Sequence, residues 1–472
     1  MRRIASLFSL TLCCAAPMCG EDRLAADFRG EGDRFKSSCA GFSFSEIASC
    51  GELLFTDHPL HIAVGNLAPG NGFGAGAALV GHWTTSNWRN SWDVDAVASP
   101  NGSWRAGGYL NLVWSGVPAV KTGRGRPAPG SSSSPDASQE QLVFHLYGET
   151  DSLNKIGFFG IGPSTSDTAR SYFGLRETVT GGNVVWPVLK RFSVAIVAEA
   201  NGRFVENRGS PNQSSPSIEQ LYTPQSAPGL FAETAFAQFG EGVRMRPSFA
   251  GGHAQLDYLV NYQEYIAPSD TRYSFRRFTT DLSHQFPLYK NYHPPVPQDF
   301  NGPDECAGSA ADDNHQCPPV IPPSGTTRNL EGSFGVRFLL SESIIPSGHA
   351  EPFYFQPTLG GSDINGNPML PSFQDYRFRA PNVMLIRASF EHSIYKWPVG
   401  IVLMIDEGKV AERRSDIDFS HLQHSYTAGL TLRAGGFPMV YLLFSWGGHE
   451  GTHTTGSMNT SLLGGGSRPS LF

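Results

Sequence analysis

The stretch SYTAGLTLRAGGFPMVYLLFSWGG, Ser425 to Gly448, constrains the fold more than any other part of the chain. It reads as two strand-length runs about a tight turn at Ala434-Gly435-Gly436-Phe437-Pro438. In the first run Tyr426, Ala428, Leu430 and Leu432 alternate with Thr427, Gly429, Thr431 and Arg433, the two-residue period of a strand. A strand with an aliphatic face set against Gly, Thr and Arg can be placed in two ways. A soluble sandwich buries the aliphatic face in a protein core, whereas a membrane barrel turns it toward lipid and the other face toward a wet lumen.

The same pattern recurs along the chain. In SWDVDAVAS, Trp92, Val94 and Ala96 oppose Asp93 and Asp95. In FSVAIVAEANGRF, Phe192, Val194, Ile196 and Ala198 oppose Ser193, Glu199, Asn201 and Arg203. In NVMLIRASFEHSIY, Met384, Ile386, Ala388, Phe390 and Ile394 face away from Arg387, Ser389 and Glu391. A dry core penalises such charges unless they are paired, and a lumen does not. Charged residues are only 16% of the chain, below the roughly 25% of soluble domains. Helix-periodic segments are nearly absent, and Gly, Pro, Asn and Asp turn signals recur throughout. We count about 14 to 16 strand-length runs, which predicts an all-β fold, a transmembrane antiparallel β-barrel of about 16 strands. Two or three soluble β domains are the alternative that alternation by itself leaves open.

Met1-Arg2-Arg3, the apolar run Ile4 to Leu12 and small residues through Gly20 read as a signal peptide over 1–20. Past it, no stretch approaches the roughly 20 apolar residues of a membrane helix, so a chain that spans a membrane does so with strands closed into a barrel. Residues 21–55 form a short polar segment expected in the periplasm, and 56–472 the barrel. The net charge of -7 offers no basic footprint for nucleic acid. Beyond the leader, the cysteines form two local pairs, Cys39 with Cys50 and Cys306 with Cys317, read as short disulfide loops. The rival for CAGSAADDNHQC is a metal site with Asp312, Asp313 and His315, whose spacing matches no familiar zinc pattern.

Connection lengths are consistent with a barrel that alternates short turns and long loops. Counting back from the C-terminus, Gly448 to Gly456, Ala411 to His424 and Ile344 to Arg379 fall outside. The turns at Ala434 to Pro438 and Lys396 to Gly400 fall inside. The Pro-rich segment Asn291 to Thr327 is the exception, a long insertion on the short-turn side.

The C-terminal third carries LGGSDINGNPMLPSFQDYRFRAPNVMLIRASFEH, then IVLMIDEGKVA, then SYTAGLTLRAGGFPMVYLLFSWG. In order and spacing these resemble the BamA/TamA outer-membrane barrel superfamily, also called the bacterial surface antigen family. Its barrels end with a glycine-rich loop, an L-R-G-F/Y pattern, an R-F pair, an acidic strand and a D-x-G strand. Leu359-Gly360-Gly361, Arg377-Phe378, Glu391, Asp406 and Gly408 occupy the matching places. FFGIGPSTS and APGNGFGAGAAL are similar to further family segments, so the resemblance covers roughly residues 60 to 472. It implies a loop, 344–379, folded back into the lumen, and a location in the outer membrane of a Gram-negative-type bacterium. It also implies work on the insertion or translocation of proteins or lipids through a weak first-to-last strand seam.

Two departures stand out. The L-R-G-F pattern falls on Leu370-Pro371-Ser372-Phe373, so the arginine that in the family reaches the D-x-G strand is a proline here. Asp406 is kept, and Arg377 or Arg379 is the expected replacement partner. Residues 21–55 are too few for a POTRA domain, so the resemblance implies a member without them. Phe472 resembles the C-terminal signal read by the barrel assembly machinery, and Gly464 to Gly466 would loosen a last strand. Expected partners are outer-membrane lipid and client polypeptides or lipids. No cofactor or metal is expected, and no enzyme: there is no G-x-S-x-G elbow, and Asp406 and Glu407, as strand neighbours, point to opposite faces. A passive solute pore and a structural or adhesive surface barrel are the alternative functions.

Overall fold

The computed structural model describes residues 60–458, apart from 86, 115–140, 190–191, 211–212, 293–324, 396–398, 435–436, 448–449 and 451. The expected leader, the N-terminal segment, the four cysteines expected to pair, Gly464 to Gly466 and Phe472 lie outside the described residues.

Among the described residues sixteen strands follow one another as a meander. The first eight are β1 (Leu60–Asn66), β2 (Phe73–Thr84), β3 (Trp88–Ala98), β4 (Trp104–Trp114), β5 (Val143–Phe158), β6 (Ser171–Leu189), β7 (Val194–Gly209) and β8 (Thr234–Met245). The second eight are β9 (Ala254–Ile266), β10 (Phe275–Tyr292), β11 (Gly325–Ile344), β12 (Asn382–Tyr395), β13 (Val399–Ala411), β14 (Gln423–Ala434), β15 (Phe437–Trp446) and β16 (His453–Met458). Each pairs antiparallel with the next. The two-residue piece Ser248–Phe249 adds to the β9 edge. β1 and β16 come against each other, which curls the sheet into a ring.

The wall has the polarity of a barrel in lipid. On β14, Leu430 is 46% exposed and its neighbour Thr431 only 2%. On β7, Ile196 and Phe204 are exposed while Arg203 is fully buried. The inward residues pair across strands. Arg105 meets Asp95, Arg203 meets Glu177 at 2.9 Å, and Arg337 grips Asp281 through two hydrogen bonds of 2.9 and 2.7 Å. Such pairs explain how charge is tolerated indoors, since a buried ion is stable only when paired and hydrogen-bonded. Close packing of the wall shows in Gly76, where an added Cβ would lie 1.9 Å from the Ala96 carbonyl oxygen.

The meander sends alternate connections to opposite ends. One end carries 67–72, 99–103, 159–170, 210–233, 267–274, 345–381, 412–422 and 447–452. The other carries the remaining connections, such as 246–253 between β8 and β9. Two long connections leave from that second end, 115–142 as well as 293–324. The loop before β16 is shorter than expected, because the strand already begins at His453.

Substituting Leu430→Arg in vesicle-embedded protein is expected to cost about 2–4 kcal/mol in urea unfolding if the outward face meets acyl chains near the bilayer midplane. An unchanged midpoint would show that this face meets water.

Candidate functional site: a loop docked inside the barrel

The chain between β11 and β12 turns back into the ring. Residues 351–364 and 369–373 are buried almost throughout. Asn382 holds the root of the loop, accepting from the Ser343 amide at 3.2 Å and donating to the Ala411 carbonyl at 3.0 Å. A two-residue ladder, Thr358–Leu359 against Phe378–Arg379, closes the base.

Two apolar clusters seat it. Phe353, Tyr354 and Phe355 pack among aromatic side chains at the strand ends on the loop side, Phe158, Phe173, Phe236, Tyr265 and Phe275. Several contacts are edge-to-face, with centroids 4.9 to 5.1 Å apart for Phe353 and Phe355 against Phe158, Phe173 and Phe236, the geometry that aromatic quadrupoles favour. The second cluster joins Leu359, Met369, Leu370, Phe373 and Phe378 of the loop to Val383, Leu385 and Val410 of the wall. Inside the loop the backbone is tightly wound. At Gly361 (φ +61°) an added Cβ would come 2.2 Å from an Asp375 carboxylate oxygen, so only glycine fits.

Backbone carbonyls of an irregular segment buried in protein need donors, and arginines supply them. Arg277 of β10 pairs with Glu351 and donates to the Phe355 carbonyl at 2.8 Å. Arg379 donates to the carbonyls of Phe353 and Gln356 at 2.7 and 3.3 Å, and burial lowers its guanidinium to a pKa of about 10. Arg377 reaches the Glu450 carboxylate at 2.6 Å and both the hydroxyl and the carbonyl of Thr165, at 2.8 and 2.5 Å. Its guanidinium also lies over the Phe378 ring at 4.6 Å.

The loop tip docks on a row of three inward residues on adjacent strands. Register sets Arg387 of β12 opposite Asp406 of β13, and Asp406 opposite Ser425 of β14. Arg387 forks onto Asp406 with hydrogen bonds of 2.6 and 2.7 Å, and also donates to the Pro368 carbonyl at 2.6 Å. Ser425 Oγ accepts from the Ser372 amide at 2.9 Å. Leu370 between them adopts φ +55°, unusual for a non-glycine residue.

The expected partner of Asp406 is thereby corrected. Neither Arg377 nor Arg379 reaches it, because both are occupied at the loop base; the cation comes from the wall, through Arg387. Pro371, where the family pattern has arginine, sits buried beside this row next to Ser372. Glu391 faces inward four residues beyond Arg387, about 13 Å farther along the strand, and is not brought to the loop. Arg387 had one sequence signal, its place on the polar face of its strand. The Arg277 to Glu351 pair had none, since 74 residues separate the two.

A charge-exchange series tests the dock. Arg387→Ala is expected to cost about 3–5 kcal/mol, the scale for stranding one partner of a buried pair. Pro371→Arg is expected to destabilise the parent protein, whose Asp406 is already saturated, yet to restore stability in the Arg387→Ala background. A Pro371→Arg that harms both backgrounds equally would refute the shared role. Asp375 supplies a pH test. Burial pushes its carboxyl up to about 6, against the opposing bond from the Ser362 amide. A carboxyl raised on folding holds its proton in the folded state, so its share of loop stability is present at low pH and is lost as pH rises from about 4, the unfolded value, toward 6. Amide exchange in 358–379 is expected to be slower at pH 4.5 than at pH 7.5, and Asp375→Asn is expected to flatten that difference.

No protein-family model matches the chain, and no curated protein does. Among solved structures the chain is similar to BamA from Haemophilus ducreyi lacking POTRA domains 1–3, at 10% identity over 84% of this chain and 69% of that one, with a TM-score of 0.48. It is also similar to CdiB from Acinetobacter baumannii, at 11% identity over 84% of this chain, and to CdiB from Escherichia coli, at 13% over 83%, each with a TM-score of 0.45. It spans 58% and 59% of those two chains. These likenesses are distant, and the barrel stands on its own register and burial.

Proposed function

We propose that this chain is an outer-membrane barrel that assists the insertion or translocation of polypeptides or lipids, as its resemblance to the BamA/TamA superfamily implies. The observation that carries the reading is the loop docked on Arg387, Asp406 and Ser425. The resemblance implies a loop arginine reaching the D-x-G strand; in this chain the cation on Asp406 is Arg387 of the wall, and the loop docks beside it. The apolar outer face supports residence in lipid, and the leader-like segment Met1 to Gly20 supports export. A passive pore is the weaker reading, because the loop fills the interior at one end with packed aromatic side chains.

The loop also supports a mechanism. Through Arg377 it holds Glu450, which lies in the connection leading into β16, one side of the junction with β1. Loop position and seam position are therefore mechanically joined, and undocking the loop frees the last hairpin. Clients would be unfolded polypeptides or lipids meeting the barrel wall, with delivery of the protein itself by the barrel assembly machinery through Phe472.

The test is the rate at which a denatured client barrel folds into liposomes containing this protein, compared with liposomes containing an unrelated porin. Acceleration supports the proposal. Equal rates, with the protein folded, would overturn it. A loop deletion, 351–375, is expected to abolish the acceleration and raise single-channel conductance; a passive pore would conduct without the deletion.

A further inference from the structure

On the side of the in-folded loop, the ends of β5, β6 and β7 gather cations that the fold leaves without counter-charge. Arg208, near the end of β7, stands opposite Gly174 of β6, where an added Cβ would lie 2.9 Å from the arginine side chain. The glycine lets Arg208 lie across β6 and donate to Ser152 and Asn154 of β5 at 3.0 and 2.6 Å. Lys155, the next residue of β5, brings its ammonium 4.7 Å from the Tyr172 ring of β6. Arg170, just before β6, has its guanidinium 5.5 Å from the same ring, and donates to Ser215 at 3.1 Å and to Gln374 of the in-folded loop at 2.7 Å.

Every one of these hydrogen bonds goes to a neutral acceptor. Among the described residues none of the three cations meets a carboxylate at ion-pair distance, and all three are half-buried. The neighbouring cation on the same face differs, since Arg176 is paired with Glu206 at 3.9 Å. Inside the barrel Arg105, Arg203 and Arg277 are each paired with an acid as well. Glu219, in the connection after β7, accepts from the Ser217 hydroxyl. Neutral hydrogen bonds thus fix the two guanidinium groups in place without cancelling their charge. Arg208 Nε and Nη1, Arg170 Nη2 and the Lys155 ammonium donate to nothing among the described residues. Like charges gathered about one ring repel, and an anion placed among them relieves that repulsion.

Two guanidinium groups and an ammonium set the ligand's chemistry. A guanidinium fits phosphate through paired N–H groups, and an ammonium serves it as a point charge. The height on the wall sets the ligand's source. Phe204, on the same face of β7 as Arg208, is exposed and lies about 13 Å farther from the rim along the strand. Apolar wall giving way to charge marks the level of lipid headgroups. The end that carries the in-folded loop is the one read as external, and the outer leaflet there presents a phosphorylated glycolipid. We propose that Lys155, Arg170 and Arg208 bind a phosphate group of lipopolysaccharide, on its lipid A part. The inference rests on the barrel's place in the outer membrane and not on its proposed insertion role.

Native mass spectrometry of the full chain, released from micelles holding lipid A and the same lipid A with its phosphates removed, reads the preference directly. Flotation with liposomes is run beside it. The expected result is flotation and retention of the phosphorylated form over the other by about tenfold. The double variant Lys155→Gln/Arg208→Gln should retain both forms equally while still floating. Lys155→Gln alone, which removes no hydrogen bond of the fold, should cut the preference by about threefold. Arg176→Ala, which removes the paired cation next door, should leave the preference unchanged. Inorganic phosphate in excess should not displace the lipid. A protein that floats but retains both forms equally, a preference that survives the double variant, or one that is lost in Arg176→Ala overturns the site. Displacement by inorganic phosphate overturns the lipid assignment. Failure to float overturns the membrane reading, and the site with it.

Discussion

The guanidinium of Arg387 joins the two structures this protein has to reconcile, a regular wall and an irregular loop inside it. One edge of the fork is held by Asp406 on the next strand, and the remaining donor reaches the Pro368 carbonyl of the loop. Neither contact is sufficient alone. Without Asp406 the buried cation has no counter-charge, and without Pro368 the loop carbonyl has lost its donor. Because the row Arg387, Asp406 and Ser425 is set by strand register, its spacing is as rigid as the sheet. The loop tip therefore docks against a preformed template, and little wall reorganisation is needed to receive it.

The other arginines extend the same logic. Buried irregular backbone needs hydrogen-bond donors that neither water nor a ladder provides. Arg277 from the wall and Arg379 from the loop itself bring charged forks to the carbonyls of Phe353, Phe355 and Gln356. The guanidinium suits this work because it presents several donors in one plane and stacks on aromatic rings. The Phe and Tyr residues of the strand ends supply those rings. Aromatic packing and carbonyl capture are thus one arrangement, which holds the loop by area and by directed bonds together.

The outer wall and the interior answer to different solvents. Outside, apolar side chains dominate up to the rim, with Glu241 of β8 an exposed exception among them, and charge returns at Glu206, Arg176 and Arg208. Inside, charge is paired strand to strand, and the connection into β16 is tied to the loop by Arg377. In the proposed insertion role the loop is the moving part.

Much of the wall was legible in the sequence. Alternation set Leu430 and Leu432 on one face and Thr427 and Thr431 on the other, because a two-residue period is a local property of extended backbone. The resemblance implied a loop folded into the lumen, and the low charge with no apolar helix pointed to strands. What sequence could not supply was register and long-range partnership. It marked Asp406 as needing a cation and Arg387 as facing inward, but nothing local says that residues 19 apart stand opposite each other. Pairing of Arg277 with Glu351, or of Arg377 with Glu450, arises only when the ring closes and the loop enters it. Side-chain direction is written by neighbours in the chain, whereas the identity of a buried ion's partner is decided by which strands and loops the closed barrel brings together.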